Sequence, residues 1–379
     1  MAFSYFHLLE ENNCRGRQKA EFEITDTGVF DDGRYFDLFV EYAKGGPRDI
    51  LIRLTVMNRS SDDAQLHVIP QLWFRNTWSW GNNPRNPDVL PTGRPSIAAS
   101  SDSKNSLVAS HQKLGEYHFH FEGEPTLLFC SNESNLESLY NASNKSDTCK
   151  NGFHQHIITN AKRAIQPEGP NTKAGLWYQL TAGKEPVIEL RFRLTSETLE
   201  DPFGDFDHLF SIRKKEADAF FDHLQQGITS EEEKKVQRQA IAGLLWSKQF
   251  YYFDIPEWLE GDEDQPPPPP ERRHGRNAGW MHLNNADVIS MPDTWEYPWY
   301  AAWDLAFHCI TFALVDAEFA KQQLLLFTRE WYMHPNGQLP AYEWSFGEVN
   351  PPVHAWAIWR VFQIDRKQRG DSGDLLFLE

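Results

Sequence analysis

The sequence predicts a β-sandwich followed by a short helical linker and an all-helical domain. Up to about residue 200, short runs of alternating apolar and polar residues are separated by turn formers, which is typical of antiparallel strands. Beyond that point the apolar residues recur at helical spacing and helix caps are recognisable. We therefore predict a sandwich over 1–200, a helical linker over 201–228 and a helical domain over 229–379.

The composition limits the class of protein. The chain has 379 residues, 40% of them hydrophobic, which suffices for two domains with cores. Its formal net charge of -17 would repel nucleic acid and anionic membranes. No apolar run approaches the roughly 20 residues that cross a bilayer, and no secretion signal opens the chain. We expect a cytoplasmic protein with neither nucleic-acid nor membrane partners, whereas the oligomeric state is not set by the sequence.

The cysteine and histidine spacing predicts no metal site. The four cysteines lack CxxC spacing, which argues against a zinc centre or a disulfide framework. His118 with His120, and His154 with His156, have the i, i+2 spacing that places two rings on one face of a strand. Such a pair could bind a metal, but no third ligand is apparent. We therefore expect no metal and no cofactor, with a structural calcium among the acidic loops as the alternative.

Six segments in the first half carry the strand prediction. Their apolar residues alternate, and clusters of Gly, Pro, Asn and Asp separate them. The segments are 35–43, 49–59, 66–78, 117–123, 175–182 and 187–195. Many antiparallel strands joined by such turns indicate a sandwich. Trp73, Trp78 and Trp80 are expected to pack within it, although their segment could also reach a cleft between domains.

Helical periodicity begins with residues 206–226, which Gly227 would terminate. A second helix is predicted over 229–253, where Ser230 and Glu233 form a capping box. From there the chain is predicted to be helical to its end, interrupted only by loops.

Three further helices complete this prediction. They span about 298–315, about 317–332 and about 352–363. Pro298 suits the first turn of the first helix, and Asp316 is the expected cap of the second.

An acid lies among aromatic residues in the segment "MPDTWEYPWYAAWDLAFH", residues 291–308. Asp304 would lie about two turns into its helix, on one face with Tyr300 and His308. A carboxyl beside apolar rings loses hydration, its pKa rises, and it can hold a proton near neutral pH as a general acid must. The alternative is a structural role, in which Asp304 accepts a buried hydrogen bond from a backbone N–H or from Arg276.

Two further segments offer the mixture of rings, acids and amides that suits a sugar. Aromatic faces stack on the C–H patches of sugars, and the hydroxyls need polar partners. Residues 334–357 contribute Gln338, Tyr342, Glu343, Trp344, Glu348 and Asn350, and residues 276–298 contribute Trp280, Asn284, Asn285, Asp287 and Asp293. Both segments lead into helices, as loops at the mouth of a helical barrel would. Taken alone, Glu343 is interpreted as a structural carboxylate rather than a base.

Four motifs carry a family resemblance: "LHVIPQLWFRNTWSWG", "WMHLNNADVISMPDTWEY", "PWYAAWDLAFH" and "NGQLPAYEWSFGEVNPPVHAWA". Together they resemble glycoside hydrolase family 63, in particular its bacterial glucosidase-like members. That family also includes mannosyl-oligosaccharide glucosidase and mannosylglycerate hydrolase. The resemblance spans essentially the whole chain. It implies an N-terminal β-sandwich of the supersandwich type, a helical linker and an (α/α)6 barrel.

The resemblance also implies hydrolysis of an α-glycosidic bond with inversion. The family's acid lies in a Trp-Asp segment that matches Trp303 and Asp304, so Asp304 is the expected general acid. The expected wall of the glycone subsite consists of Trp299, Tyr300, Trp303, Tyr342, Glu343 and Trp344. The expected partner is an oligosaccharide or small glycoside substrate.

One departure from the family qualifies this expectation. Twelve helices at ordinary lengths need upwards of about 300 residues, so 229–379 would form only the first half of an (α/α)6 barrel. The family's general base matches nothing in the sequence. We therefore expect a truncated chain with exposed apolar helix faces and little activity of its own. A non-catalytic carbohydrate-binding or interaction module is the alternative. A phosphorylase is a weaker one, since no phosphate cradle stands out.

Overall fold

The computed structural model describes most of the chain. The described residues are 5–80, 93–166, 168–184, 187–263, 265–275, 277–293, 301–339, 346–347, 350–370 and 372–379. The chain divides into one compact unit of Met1–Asn76 and Thr92–Lys215, and another of Thr77–Pro91 and Glu216–Glu379. The fold mixes α and β structure, with antiparallel sheets in the N-terminal part and helices in the C-terminal part.

The first unit contains two antiparallel sheets. Its strands are β1 (Phe36–Gly46), β2 (Asp49–Asn58), β3 (Ala64–Val68), β4 (Gln71–Trp73), β5 (Ser96–Ala99), β6 (Ser106–His111), β7 (Gly115–Phe121), β8 (Thr126–Cys130), β9 (Lys173–Ala182) and β10 (Ile188–Thr195). The larger sheet has the order β1-β2-β10-β7-β6-β5, and in the smaller sheet β9 pairs with β3, β4 and β8. The helices α1 (Tyr5–Arg15), α2 (Leu136–Tyr140) and α3 (Gly152–Thr159) accompany them.

Alternate residues of both sheets meet in one hydrophobic core. Val56 and Phe192 come from the larger sheet, and Phe129 and Leu176 come from the smaller one. Phe192 stacks on Phe119 with ring centroids 5.9 Å apart. Two sheets that share a core through alternating side chains fit the predicted β-sandwich.

The predicted strands agree with the structure except within 66–78. That segment forms two strands, β3 and β4, separated by Ile69 and Pro70, because proline cannot donate to a ladder. Strands β5, β6 and β8 were not predicted. Trp73 is 55% exposed and so does not pack in the sandwich core, contrary to the prediction. Trp80 groups with the second unit, where it stacks on Tyr252 at 4.8 Å.

A buried ion pair joins strands β10 and β2. Arg193 donates from Nε and Nη2 to the two carboxylate oxygens of Asp49, at 2.9 and 2.7 Å. Its Nη1 donates to Asp205 at 2.6 Å and to the carbonyl of Pro202 at 2.9 Å. Hydrogen bonding to Asp49 raises the pKa of Arg193, so the guanidinium is charged at any ordinary pH.

We expect Arg193→Met to lower the free energy of unfolding by about 3–5 kcal/mol, because the substitution leaves the buried Asp49 carboxylate uncompensated. Urea denaturation of the purified variant measures this. Lys104 and Glu124 form an ion pair that is exposed on both sides, so Lys104→Met should cost less than about 1 kcal/mol. Equal losses in the two variants would contradict the prediction.

The second unit combines helices with a small sheet. Its elements are α4 (Phe206–Leu224), which begins in the first unit, then α5 (Glu231–Trp246), β11 (Lys248–Asp254), α6 (Ile255–Glu260), β12 (Asn284–Ser290), α7 (Ala302–Phe312), α8 (Ala317–Leu326) and α9 (Val353–Arg369). The predicted caps are confirmed: Ser230 accepts from the backbone N–H of Glu233, and Asp316 accepts from that of Phe319. Within the described part of the chain, no helix has the length and apolarity needed to span a bilayer.

The prediction that the chain is helical from 229 to its end is wrong in one region. Helix α5 stops at Trp246, and β11 pairs antiparallel with β12, from Lys248 opposite Ser290 to Asp254 opposite Asn284. The aromatic run of β11 favours a strand, but its partner lies some thirty residues later. The separate linker over 201–228 and the half barrel over 229–379 stay predictions.

Helix α7 lies in the core of the second unit and packs against both α8 and α9. Ala306 and Phe312 of α7 are fully buried there, as are Leu324 of α8 and Val361 of α9. The small Ala306 side chain lets neighbouring elements approach closely. This packing fixes the orientation of α7 and therefore of Asp304 near its start.

Candidate functional site

Asp304 lies in the first turn of α7, nearer the helix start than the predicted two turns. The helix begins at Ala302, and Ala301 before it is extended, with φ -122° and ψ 110°. Pro298, the predicted start, lies outside the described residues. Backbone N–H groups of a first turn have no intrahelical partner, so this position places the carboxyl at the positive end of the helix dipole.

The Asp304 carboxyl is half-buried. Burial raises its pKa above the ordinary value, although His308 and the backbone N–H of Asp304 act in the opposite direction. The net result is a carboxyl that retains its proton at a higher pH than an exposed aspartate does. A proton donor near neutral pH needs this property.

Aromatic rings on α7 and α9 form a connected set that begins at Trp303, the residue before Asp304. Trp303 precedes Asp304 and contacts Phe307 edge to face, with ring centroids 6.1 Å apart. Phe307 in turn contacts Trp356 of α9 at 5.7 Å, and both of these rings are exposed. Exposed ring faces and edges can pack against the C–H patches of a sugar.

The described site contains only part of the predicted subsite. Trp303 and Asp304 are adjacent in it. Trp299, Tyr300, Tyr342, Glu343 and Trp344 lie outside the described residues, so their place in the subsite stays a prediction.

A hydrogen-bonded chain of side chains reaches His308, one helical turn after Asp304. Ser290, the last residue of β12, has its Oγ 2.8 Å from His308 Nδ1. The Oγ of Ser290 is also 2.9 Å from that of Ser247, which lies between α5 and β11. Ser247 donates to the carbonyl of Leu244 at 2.6 Å. Sequence analysis missed both serines, because no spacing relates residues that are 43 positions apart.

Trp280, predicted to line the site, is a core residue. It is fully buried, and its Nε1 donates to the carbonyl of Met333 at 3.0 Å. Its ring contacts His334 and Phe346 edge to face, at 5.7 and 5.3 Å. Trp280 therefore connects the segment before β12 with the segment that follows α8.

Three polar residues of β12 were also predicted to line the site: Asn284, Asn285 and Asp287. Asp287 accepts a hydrogen bond of 2.6 Å from the Tyr332 hydroxyl, which ties it to the turn after α8. Asn285 is fully buried, and neither its amide oxygen nor its amide nitrogen has a hydrogen-bond partner among the described residues. Asp287 thus has a structural partner, whereas the amide of Asn285 has none within the described part of the chain.

The histidine pairs form no metal site. His118 and His120 do share a face of β7, where their rings stack at 6.0 Å. His154 and His156 lie on helix α3, so the prediction that they share one face of a strand is wrong. In the described part of the chain, no three His, Cys, Asp or Glu side chains are arranged to hold a metal ion.

An open groove of about 840 Å³ lies at the far end of α7 from Asp304. Leu314 just past α7 and basic residues of α9, including Arg360, Arg366 and Lys367, line it. Its distance along the helix separates it from the candidate acid.

Comparison with known proteins finds a similarity for the segment that contains the candidate site. Residues 297–376, which contain Asp304 and α7 to α9, match the family model described as "Mannosylglycerate hydrolase MGH1-like glycoside hydrolase domain". This part of the chain is therefore similar to a glycoside hydrolase domain of a kind related to family 63.

A relative extends the similarity to the whole chain. "Uncharacterized protein YMR196W" of Saccharomyces cerevisiae is 40% identical over 421 aligned positions, which cover 100% of this chain and 38% of the yeast protein. The chain thus spans less than half the length of this relative.

Proposed function

We propose that the site around Asp304 belongs to an inverting glycoside hydrolase of the family 63 type, which acts on α-linked glucosides or related oligosaccharides. One observation carries the proposal: a half-buried carboxyl with a raised pKa lies beside Trp303, inside the segment that matches a glycoside hydrolase domain.

In this mechanism Asp304 donates its proton to the glycosidic oxygen as the bond to the anomeric carbon breaks. A second carboxylate, about 6.5–9.5 Å away, takes a proton from the water that attacks the opposite face. The resemblance assigns that base to no residue of this sequence. We therefore propose that the chain alone hydrolyses its substrate slowly. If hydrolysis proves to be fast, we propose Glu343 as the substitute base.

The proposed glycone subsite is formed by Trp299, Tyr300, Trp303, Tyr342, Glu343 and Trp344. Two observations support this subsite. Trp303 directly precedes the acid, and it contacts Phe307, which in turn contacts Trp356. The proposed architecture around it is a sandwich over 1–200, a linker over 201–228 and the first half of an (α/α)6 barrel over 229–379.

Binding of a cationic sugar analogue tests the site without requiring turnover. We expect Asp304→Asn to weaken binding of 1-deoxynojirimycin at least about tenfold, because a hydrogen bond to a charged group contributes about 1.5–3 kcal/mol. Binding of maltose, which is neutral, should weaken less than about threefold in the same variant. A threefold change in affinity corresponds to about 0.6 kcal/mol. Only ionised Asp304 pairs with the cation, so affinity should rise with pH through its raised pKa. Isothermal titration calorimetry measures both sugars.

Trp303→Ala should weaken the binding of both sugars. Trp331→Ala removes an exposed ring after α8 and should weaken the binding of neither sugar. Failure of the unmodified protein to bind either sugar would count against the proposed function. If Asp304→Asn bound 1-deoxynojirimycin as tightly as the unmodified protein does, Asp304 would not be the acid of this site.

The alternative function is a non-catalytic carbohydrate-binding module. The exposed rings of Phe307 and Trp356 favour it, because they offer a binding surface that needs no second carboxylate. Maltose binding that Asp304→Asn leaves intact, together with no measurable hydrolysis by either protein, would support binding alone.

A further inference from the structure

We propose that strand β1 is the interface of a symmetric dimer, in which two copies of this chain pair antiparallel along their β1 strands and join their larger sheets into one. Strand β1 is the outermost strand of that sheet. In the described part of the chain, no strand pairs with its outer edge. The edge of a sheet offers backbone N–H and C=O groups with which a further strand can pair. The interface lies in the first unit and does not depend on the proposed function.

The backbone of β1 shows which of its residues point to the outer edge. The N–H of Arg59 donates to the carbonyl of Tyr35 at 2.9 Å, so Tyr35 and every second residue after it face β2. The carbonyl of Lys44 instead accepts from Arg213 of α4 at 2.8 Å. The residues that direct their backbone N–H and C=O groups away from β2 are therefore Phe36, Leu38, Val40, Tyr42 and Lys44.

Strand β1 lacks two features that protect many edge strands from pairing. Its register with β2 is unbroken from Phe36 opposite Asn58 to Lys44 opposite Ile50, and the ladder shifts only beyond Lys44. No proline interrupts the strand. Because this edge is regular, a second strand can pair with it without rearrangement of the sheet.

Apolar side chains follow the same edge. Leu38, Val40 and Tyr42 lie on the face of the sheet that points towards the sandwich core, because Val56 and Leu54 of that core are the β2 partners of the first two. The three residues are nevertheless 48%, 51% and 58% exposed. A second copy of this face would continue the core across the interface and remove apolar surface from water.

The charges of β1 select the register of such a pair. In a two-fold antiparallel pair, one residue lies opposite its own copy, and the residues on either side pair symmetrically around it. Rotation about Phe39 would place Asp37 opposite Glu41, and rotation about Glu41 would place this carboxylate opposite its own copy. Like charges directly opposite each other are destabilising. Rotation about Val40 avoids both arrangements.

The register around Val40 also brings apolar side chains together. Val40 lies opposite its own copy, to which its N–H can donate and from which its C=O can accept. Leu38 lies opposite Tyr42 of the second copy. The pairing spans Phe36–Lys44, the whole regular part of the strand, whereas rotation about Leu38 or Tyr42 would align a shorter part. The strand is thus complementary to itself, as a symmetric dimer requires.

Sedimentation equilibrium of the full chain at about 1–100 µM measures the association. We expect a species of twice the mass of one chain. Val40→Lys should raise the dissociation constant of the dimer at least about tenfold, because two ammonium groups would face each other on the symmetry axis. Val236→Lys is the matched control, since Val236 is also exposed but lies on α5, and it should leave the dimer unchanged. A monomeric unmodified protein, an assembly larger than a dimer, or a dimer that Val40→Lys leaves intact would overturn the inference.

Disulfide cross-linking tests the register without adding a charge to the strand. Cys14 is the exposed one of the four cysteines, so the variants are made together with Cys14→Ser. Val40→Cys should form a disulfide with its own copy on mild oxidation, because the two Cα atoms would lie about 5.5 Å apart. Leu38→Cys should not, because about 13 Å of strand would separate it from its own copy. Failure of Val40→Cys to cross-link, or equal cross-linking by Leu38→Cys, would refute this pairing.

Discussion

Asp304→Asn is expected to lower kcat for an unactivated α-glucoside by about 10²–10⁴-fold, the usual contribution of a general acid. An amide of nearly the same shape fills the position but has no proton to give to the leaving oxygen. The measurement is glucose release from maltose over long incubations. Because the prediction concerns the ratio of variant to unmodified rates, a low absolute rate suffices.

The leaving group separates loss of the acid from general damage. Fluoride departs with little help from a proton. The kcat of Asp304→Asn for α-glucosyl fluoride should therefore fall less than about tenfold, which corresponds to at most about 1.4 kcal/mol in the activation free energy. Glu318 is a first-turn acid of α8, as Asp304 is of α7, but its side chain is mostly exposed. Glu318→Gln should therefore change neither rate. Similar losses on both substrates would show that Asp304 does not donate the proton.

The pH profile gives a second readout of the same role. Only protonated Asp304 can act as the acid, so kcat should fall as the pH rises through its pKa. Since burial raises this pKa, the fall should lie above the range of an exposed aspartate. The Asp304→Asn variant should lack this limb of the profile.

Trp280→Ala is expected to lower the free energy of unfolding by about 3–5 kcal/mol, the usual cost of deleting a buried aromatic side chain. The ring is fully buried between His334 and Phe346, and its N–H holds the carbonyl of Met333. Trp280→Phe keeps most of this packing and should lose only about 1–2 kcal/mol for the missing hydrogen bond and volume. Urea denaturation measures both variants.

An exposed tryptophan provides the control. Trp246 at the end of α5 is 71% exposed, so Trp246→Ala should cost less than about 0.5 kcal/mol. Phe346 lies two residues after Trp344 in the sequence, so Trp280→Ala should also weaken maltose binding if Tyr342, Glu343 and Trp344 form the subsite. A stable Trp280→Ala variant would show that Trp280 is not the core anchor of this segment.

Local patterns accounted for much of the fold. The caps at Ser230 and Asp316 involve contacts three residues apart, and alternation identified long strands such as β2 and β10. The short strand β8 was missed, because an apolar run of five residues does not distinguish a buried strand from a helix.

The candidate site, like the fold, was predicted only where neighbouring residues along the chain determine it. The position of Asp304 beside Trp303 could be read from one helical segment, together with the desolvation that raises its pKa. The full burial of Trp280 could not be predicted from the sequence, because aromatic residues in a loop are equally compatible with a core and with a ligand site.

By itself, the sequence determined that a sheet-rich part precedes a helix-rich part, and it located the caps and the acid among aromatic residues, because each depends on neighbours within a few positions. Only the tertiary structure decided that 248–254 pairs with 284–290 and that two serines reach His308. Those contacts join residues far apart in the chain. Their formation depends on packing of the whole unit, which no single segment encodes.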